Sequence, residues 1–477
     1  MAADSKNSTF FSGDRKSPWP IVAISMIGTS LSGVTFVSVP GYVGATQMSY
    51  MQMVLGFFVG YFAVAFILLP IYYKLESYSI YGYLQDRFGS ASRKTGSMFF
   101  LLSKFLGCGV RMYLTAVVLQ VILFGHLGIP FWLNVAVTML IVWLYTFRGG
   151  VRTIVWVDMV QTLCMIVAVV LSIYFVCQAM GLDLRGLVTT VGDSPMSRIF
   201  FFDDPLDKKY FWKQFLAGVF TTIAMTGLDQ DMMQKNLSCK TLKSSQKNMV
   251  SYGFMFVPLN LLFLWLGVLL YQYGATVGLC DASGVLNGIK ADELYATLAT
   301  GSDPSTGVPY LPMGVTIVFV VGLISAAFSS AGSALTALTT SVTVDMLRAD
   351  EYQSDLELSH TRMLVHFLVA VVMGLLIYGF KLIGNGSVIN AVYVLASYTY
   401  GPLLGLYCFG LFTKLHPRDR WVPVICVISP LLCLLLNFKS QAWFGYSFGF
   451  ELLLVNALIT FAGLLISSIG NGTQRLI

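Results

Sequence analysis

The sequence predicts an all-α protein that crosses the membrane many times and is built from two inverted repeats of five helices. Its composition is 56% hydrophobic and 11% charged, whereas soluble proteins carry about 25% charged residues. Apolar runs of about 20 residues, long enough to cross a bilayer, recur through the whole chain. The first and the sixth of these runs are interrupted by glycine and polar residues. Broken helices at matching positions are typical of inverted-repeat membrane proteins.

The mean hydropathy of +0.75 and the spacing of the apolar runs predict about twelve membrane helices in one domain, residues 19–470. The predicted segments are residues 19–40, 49–73, 96–125, 130–147, 152–178, 211–234, 249–275, 312–342, 363–384, 388–413, 421–437 and 447–468. The repeats would cover about 19–178 and 211–413, with additional helices at 421–468. Residues 1–18 are polar and are expected to form a poorly ordered cytoplasmic segment.

Lysine and arginine are distributed unevenly between the loops. With the N-terminus placed in the cytoplasm, 19 of the 29 basic residues fall in cytoplasmic loops or termini and 7 fall outside. Because positive charge is retained on the cytoplasmic side during insertion, this split predicts that both termini lie in the cytoplasm. The membrane would be a plasma membrane or a bacterial inner membrane. The net charge of +6 is explained by topology and indicates no nucleic-acid partner.

The first segment contains a stretch, Gly28–Pro40, that is too rich in glycine and hydroxyl side chains for a continuous lipid-facing helix. We expect the helix to break around Gly28 and Gly33. The sixth segment is interrupted at Met225–Asp231. Since irregular backbone at membrane depth is tolerated only inside protein or beside a cavity, the two breaks predict a transporter with its binding site near the midplane.

Segment eight carries small and hydroxyl residues on one helical face, at Ala326, Ser329, Ser330 and Ser333. Serine hydroxyls and backbone carbonyls freed by a helix break offer Na⁺ uncharged oxygens, by analogy with other hard cations. The alternative is that small residues only let two helices pack closely.

Asp158 lies inside the fifth segment. A buried carboxylate in a membrane is costly and indicates a functional site, with a cation or hydroxyl groups as partners. The alternative is an acid that extends to the cytoplasmic surface near Arg152.

Arg111 lies in the middle of the third segment. It needs an anionic partner at that depth, either a carboxylate on a solute or a structural pair with Asp158 or Asp229. Asp229 and Asp231 flank the sixth-segment break. They are placed to contact solute hydroxyls, set a cytoplasmic gate or cap a half-helix, and the sequence does not choose among these roles.

The sequence gives little indication of a disulfide framework, a zinc site, an enzyme or a receptor. The eight cysteines and four histidines are dispersed, so neither a disulfide framework nor a zinc site is indicated. The lack of a grouped set of histidine, cysteine or carboxylate residues argues against a membrane-embedded enzyme. The chain also shows no soluble signalling module of the kind that a receptor would carry.

Several motifs together resemble the sodium/solute symporters, a family that includes sodium–sugar, sodium–proline and sodium–sialic acid transporters. The motifs occur along the chain in the order expected for the family, and the serines of segment eight belong to the same pattern. The motifs are Phe10-Phe-Ser-Gly-Asp-Arg-Lys-Ser-Pro-Trp19, Ser32-Gly-Val-Thr-Phe36 with Pro40-Gly41, Arg148-Gly-Gly-Val-Arg-Thr-Ile-Val-Trp-Val-Asp-Met-Val-Gln161 and Gly227-Leu-Asp-Gln-Asp-Met-Met-Gln234. Family members usually begin with one further helix, which is not present before Phe10 here.

The resemblance implies the inverted-repeat fold of the leucine transporter, with Na⁺ between the first and eighth segments. Its ligands would be the carbonyls of Gly28, Leu31 and Ala326 and the hydroxyls of Ser329 and Ser330. Sialic acid transporters of the family bind a second sodium at positions that correspond to Asp158 and Ser333, although Gly332 stands here where such members carry serine. Solute contacts would come from Ser30, Ser32, Thr35, Gln52, Arg111 and Asp229.

The function that we expect is Na⁺-coupled symport of a small organic solute by a monomer in the lipid bilayer. The resemblance and the anion required by Arg111 favour a carboxylated sugar, such as a sialic acid or another sugar acid. The alternatives are Na⁺ symport of a neutral monosaccharide, an amino acid or a monocarboxylate, and proton-coupled transport by the same fold.

Overall fold

The structure is a computed structural model that describes residues 7–75, 77–125, 127–281, 284–304, 306–383 and 388–469. Within these ranges the chain is helical and contains no β-strand, only isolated bridges. Each of the twelve predicted segments coincides with a helix or a pair of helices.

The first half runs from a short N-terminal helix to the fifth predicted segment. Its helices are α1 (Asn7–Ser12), α2 (Trp19–Ser30), α3 (Gly33–Thr46), α4 (Tyr50–Ala63), α5 (Leu69–Leu75), α6 (Gly82–Arg87), α7 (Ser90–Leu119), α8 (Phe131–Thr146) and α9 (Gly150–Ala179). A π-turn over Val64–Leu68 joins α4 to α5, so these two helices form the second segment.

The second half repeats this order after the loop that follows α9. Its helices are α10 (Leu184–Gly192), α11 (Phe211–Thr222), α12 (Gln230–Leu237), α13 (Leu242–Thr276), α14 (Leu294–Thr300), α15 (Met313–Thr340), α16 (Ala349–Tyr352), α17 (Asp355–Ile383) and α18 (Val388–Phe412). Two further helices follow, α19 (Val422–Phe444) and α20 (Leu452–Ser467).

Length and hydropathy qualify eight helices of the described ranges as membrane spans, and nine if the bent pair α2 and α3 counts as one span. The helices α8 and α20 are apolar but shorter, and the sixth segment is divided between α11 and α12. This is therefore a multi-pass membrane protein.

The first segment breaks at Leu31 and Ser32, which we call the first break. Helix α2 ends at Ser30, Leu31 has a ψ of 78°, and α3 starts at Gly33 after a bend of 55°. The break at Gly33 is confirmed, but Gly28 lies inside α2. A Cβ at Gly28 would lie 2.1 Å from Thr162 Oγ1, so this glycine serves close helix packing instead.

The sixth segment breaks at Leu228 and Asp229, which we call the second break. A π-turn over Ile223–Gly227 ends α11, and the Asp229 side chain caps α12 by accepting hydrogen bonds from the backbone N–H groups of Asp231 and Met232 at 2.9 and 3.2 Å. The interruption predicted at Met225–Asp231 is confirmed.

The helix contacts have the symmetry of an inverted repeat. Segment one contacts segment seven through α2 and α13, and the equivalent pair, segments six and two, meets through α11 and α4. Likewise α9 packs on α15, while α18 packs on α7. Because segment n of the first half corresponds to segment n + 5 of the second, each contact has its counterpart in the other half.

The N-terminal prediction is wrong for residues 7–18. Phe10 and Phe11 of α1 are fully buried in a cluster with Val344, Ala349 and Leu358, at the end of the eighth segment. Burying two phenylalanines stabilises the segment by several kcal/mol on the scale of about 1.5–3 kcal/mol per large side chain. Residues 1–6 lie outside the described residues.

Candidate functional site

The C-terminal end of α2 lies against α15 in the buried centre of the protein. A Cβ on Gly28 would lie 3.0 Å from Ser329 Oγ, and one on Gly33 would lie 3.5 Å from a methyl group of Leu323. The two helices therefore run in opposite directions. The end of α2 thus meets the part of α15 that carries Ser329 and Ser330, and we call this crossing, together with the predicted sodium ligands Gly28, Leu31, Ala326, Ser329 and Ser330, the cation site.

The oxygens of the cation site have few competing partners. Ser329 is fully buried, and its hydroxyl has no hydrogen-bond partner within the part of the chain that the structure describes. Ser330 donates only a long hydrogen bond of 3.5 Å to the Thr29 carbonyl. The last carbonyls of a helix lack intrahelical partners and carry partial negative charge, so the end of α2 offers further oxygens to a cation.

Asp158 is fully buried on α9 beside this crossing, so it does not extend to the surface. Arg152 instead lies within 3.8 Å of Asp14 and its side chain is 67% exposed. One oxygen of Asp158 accepts a hydrogen bond from Ser333 at 2.7 Å and lies 2.5 Å from the ammonium nitrogen of Lys235. Lys235 also donates to the Thr29 hydroxyl. The sequence prediction treated Lys235 as a loop residue, whereas it is only 2% exposed.

Gly332 is explained by its neighbour Tyr145. A Cβ at position 332 would lie 2.1 Å from the Tyr145 hydroxyl, which donates a 2.7 Å hydrogen bond to the Phe328 carbonyl. The tyrosine thus fills the space that a serine side chain would need. Compared with family members that carry serine at this position, the chain has one hydroxyl oxygen fewer near Asp158.

A cavity of about 120 Å³ lies next to the cation site, between the two breaks. The predicted solute residues Ser30, Ser32, Thr35, Arg111 and Asp229 all line it, together with Ser330 of the cation site. Asp231, for which a solute contact was one of the open roles, also lines the cavity, and the structure adds polar neighbours that the sequence prediction did not assign to the solute: Lys104, Ser103, Tyr50, Thr221, Thr222, Thr226, Tyr393 and Tyr400.

Asp229 is committed to structure. Besides capping α12, its carboxylate accepts a hydrogen bond from Tyr400 and lies 3.2 Å from Lys104 Nζ, which is 2.7 Å from Asp231. Of the roles left open by the sequence, the structure supports capping. Lys104 therefore crosslinks both acidic residues of the second break.

The Arg111 side chain lies on the cavity wall without an ion pair or hydrogen bond to any of the residues that the structure describes. Both acidic partners considered for it are occupied, since Asp158 binds Lys235 and Asp229 binds Lys104. The structural pairing left open by the sequence is thus not observed.

Tyrosines close the cavity on two sides. The hydroxyls of Tyr50 and Tyr393 are 2.9 Å apart and join α4 to α18. The Ser30 hydroxyl is 2.6 Å from that of Tyr252, which is 3.0 Å from that of Tyr61. These contacts hold the first segment and its neighbours around the cavity.

Gln52 is not among the residues that line the cavity, so the cavity gives its assignment as a solute residue no support. The side chain is fully buried and donates a 2.8 Å hydrogen bond to the Lys209 carbonyl, while it accepts a 3.1 Å bond from the Phe201 backbone N–H. It therefore fixes the external loop before α11.

Lys104 and Lys235 are the charged residues near the two sites to which the sequence analysis assigned no role. Lys104 lies seven residues before Arg111 on α7, which is two helical turns along the same face. A lysine inside an apolar segment is by itself a sign of function, so this residue was detectable. Lys235 gave no such signal, because it follows the sixth segment and is 77 residues from Asp158.

Comparison with solved structures shows the same fold. A Na⁺-coupled sialic acid symporter, described in a substrate-bound outward-open state, superposes with a TM-score of 0.81 over 99% of this chain and 94% of the other, at 19% identity. The nucleobase-cation-symport-1 family transporter Mhp1 superposes with a TM-score of 0.53 at 13% identity, covering 98% and 94%. The leucine-transporter-like inverted-repeat fold is confirmed.

Three relatives that match most of this chain are sodium-dependent or sodium-coupled transporters. The sodium-dependent multivitamin transporter of Oryctolagus cuniculus is 27% identical over 84% of this chain and 60% of its own length. The sodium-coupled monocarboxylate transporter 2 of Mus musculus is 25% identical over 86% and 64%, and the sodium/iodide cotransporter of Homo sapiens is 26% identical over 84% and 61%. The chain spans about 60% of the length of these relatives.

The model of the sodium:solute symporter family matches residues 10–417, from the Phe10 motif to the end of the second repeat. With the helix breaks, the cation site and the cavity all inside the matched range, the chain belongs to the sodium:solute symporter family.

Proposed function

We propose that this protein is a Na⁺-coupled symporter of a small solute that carries a single carboxylate or a comparable negative charge. The observation that carries the proposal is Arg111, an arginine on the wall of a membrane-buried cavity whose potential protein partners are engaged elsewhere. An unpaired charge at such depth is costly, and a planar guanidinium binds a carboxylate through two parallel hydrogen bonds.

A second feature of the cavity also favours an anion. Helix α3 begins at Gly33, and its N-cap residue Ser32 makes no capping hydrogen bond with its side chain. The first N–H groups of α3 therefore lie free at the wall formed by Ser32 and Thr35. Helix N-termini bind anions through these groups and through the helix dipole.

Cavity size favours a small solute over a large sugar acid. A cavity of about 150 Å³ accommodates one benzene molecule, and the central cavity measures about 120 Å³. A monocarboxylate of a few carbon atoms fits this volume better than the sialic acid favoured by the sequence resemblance. Two of the relatives are named for a monocarboxylate and for iodide, both of them anions.

Coupling follows from residues that the two sites share. Ser330 belongs to the cation site, lines the cavity and donates to the Thr29 carbonyl at the end of α2. Na⁺ bound by the carbonyls of Gly28, Leu31 and Ala326 and the hydroxyls of Ser329 and Ser330 would fix the first break. Ser30, Ser32 and Thr35 would then be ordered for the solute, so each ligand raises the affinity for the other by linkage.

The test is uptake into proteoliposomes with an imposed Na⁺ gradient. We expect a short monocarboxylate to compete with a labelled carboxylate substrate, and neutral hexose to compete weakly. Sialic acid, proline and iodide complete the panel. Uptake that responds to pH but not to Na⁺ would refute the coupling ion, and preference for neutral hexose would refute the anion.

The role of Arg111 has a separate test. Arg111→Gln should raise the KM for the anionic solute by about 10- to 100-fold, since a hydrogen bond to a charged group contributes about 1.5–3 kcal/mol. Arg111→Lys should recover only part of this loss, because lysine lacks the planar fork. Arg185→Gln, on the exposed external helix α10, is the matched control. Full transport of the anion by Arg111→Gln would contradict the proposal.

A further inference from the structure

The buried pair Asp158 and Lys235 occupies a position that is chemically a cation site. One carboxylate oxygen of Asp158 faces the Ser333 hydroxyl at 2.7 Å and the Thr29 hydroxyl at 3.4 Å. The other carboxylate oxygen is buried and has no hydrogen-bond partner among the described residues. Three helices, α2, α9 and α15, thus direct hard oxygens to one point, and the positive charge found there is the Lys235 ammonium at 2.5 Å.

Lys235 reaches this point from outside the oxygen-bearing helices. It lies on α12, the half-helix that follows the second break, and its side chain is 2% exposed. The ammonium contacts both Asp158 and the Thr29 hydroxyl, two groups that would otherwise be ligands of a metal ion. Because an uncompensated carboxylate buried in the membrane is very costly, the ionised form of Asp158 requires a cation beside it, and Lys235 supplies one in this structure.

The pair lies directly next to the cation site, and Thr29 of α2 connects the two. Thr29 contacts Lys235 through its hydroxyl and Ser330 through its carbonyl. The Asp158 carbonyl lies 3.3 Å from the position of a Cβ on Gly28. An ammonium and a Na⁺ held by the same carboxylate would lie directly beside each other and would repel strongly in a low-dielectric surrounding, so both cannot be held at Asp158.

We propose that Lys235 is the resident cation of the Asp158 site, so that the transporter binds a single Na⁺ and the Asp158 site accepts another Na⁺ only when the lysine is removed. The expected second sodium at Asp158 and Ser333 is thereby replaced by a charge that belongs to the protein. Tyr145, which fills the space at Gly332, removes a further hydroxyl from the set.

The decisive measurement is the number of Na⁺ ions bound per chain, which requires no knowledge of the solute. Radioactive Na⁺ binding to the purified full-length protein, measured by scintillation proximity, should saturate at one ion per chain for the wild type. Lys235→Ala should bind two ions, with the Hill coefficient rising from about 1 towards 2. Lys235→Arg keeps the positive charge and should still bind one.

Two outcomes would overturn the proposal: two ions bound by the wild type, or one ion bound by a folded Lys235→Ala protein. The Lys235→Ala variant is also measured in buffer in which choline replaces Na⁺. If it unfolds there, Na⁺ should restore its stability by binding at the position left by the lysine ammonium. Thermal unfolding at rising Na⁺ concentration measures this effect. Failure of Na⁺ to stabilise this variant more than Lys235→Arg would also contradict the proposal.

A charge measurement extends the test and rests on the proposed function. One Na⁺ moving with one monovalent anion carries no net charge, so wild-type uptake should produce no current across the proteoliposome membrane. Lys235→Ala should produce an inward current with the same anion. A wild-type current that accompanies single Na⁺ binding would refute the anionic solute, whereas a current with two bound ions would refute the role of Lys235.

Discussion

The two broken segments occupy equivalent positions in the repeats, yet their ends are treated differently. At the second break, the Gly227 and Leu228 carbonyls accept hydrogen bonds of 2.8 and 3.0 Å from the hydroxyls of Tyr72 and Tyr81. Asp229 caps the following helix. The polar groups freed by this break are therefore satisfied within the protein.

The first break keeps its polar groups available. The Thr29 carbonyl receives only the 3.5 Å bond from Ser330, Ser32 does not cap α3, and the buried Ser329 hydroxyl is without a partner in the described part of the chain. Buried polar groups usually have hydrogen-bond partners, so a cluster of unmet ones indicates ligands. From this comparison we expect a ligand at the first break and a structural role for the second.

The largest effect should come from filling the space at the crossing below the first break. Gly28→Val would place a branched side chain against Thr162 and Ser329, where even a Cβ comes within 2.1 and 3.0 Å of their hydroxyl oxygens. Overpacking of about 1–3 kcal/mol should lower Na⁺ affinity by about 10- to 100-fold. Radioactive Na⁺ binding measures this. Gly379→Ala, which meets nothing within 4 Å, should behave as wild type, and normal Na⁺ affinity in Gly28→Val would contradict the crossing.

A smaller effect is expected from removing one oxygen of the cation site. Ser329→Ala should raise the Na⁺ concentration for half-maximal binding by about five- to tenfold, because one ligand of about 1 kcal/mol is lost. Thr336→Val removes another buried, unpaired hydroxyl from the same helix and should leave Na⁺ binding unchanged. Equal effects of the two substitutions would show that Ser329 has no special role.

The second break should affect stability more than Na⁺ binding. Asp229→Ala removes the cap of α12 and a partner of Lys104, whereas Asp229→Asn retains an oxygen that accepts the backbone N–H bonds. We expect Asn to be the more stable variant by about 1 kcal/mol, the usual contribution of an N-cap. Thermal unfolding in detergent distinguishes them. A tenfold loss of Na⁺ affinity in Asp229→Asn would contradict the division of roles between the breaks.

The smallest effect concerns Gln52. Because its amide binds the external loop, Gln52→Met should change the solute KM by less than about twofold, while Ser32→Ala at the first break should raise it by about fivefold through loss of one hydrogen bond. Uptake kinetics with each variant compare the two. A larger KM change in Gln52→Met than in Ser32→Ala would return Gln52 to the solute site.

Features that depend on local pattern were predictable. Hydropathy located all twelve segments, since each must present about 20 apolar residues to lipid. The two breaks were visible because glycine, hydroxyl and acidic residues stand out within apolar runs. The serine face of α15 followed from helical spacing. The depth of Arg111 followed from its position in the middle of the third apolar segment.

Features that depend on residues far away in the sequence were not predictable. The burial of Phe10 and Phe11 depends on the end of the eighth segment, which lies more than 300 residues away. The sequence could not show that Gln52 faces a loop rather than the cavity, because a buried amide suits both environments. Nor could it show that Tyr145 fills the space at Gly332.

The sequence by itself determined the membrane class and the positions of the two breaks that indicate the inverted repeat, because both are encoded by the order of apolar and polar residues along single helices. Only the tertiary structure decided which charges are neutralised. It joined Lys235 to Asp158 and Lys104 to Asp229 and Asp231, so none of these lysine-bound acids pairs with Arg111. The physical reason is that ion pairing depends on distances between helices, and a one-dimensional pattern does not contain them.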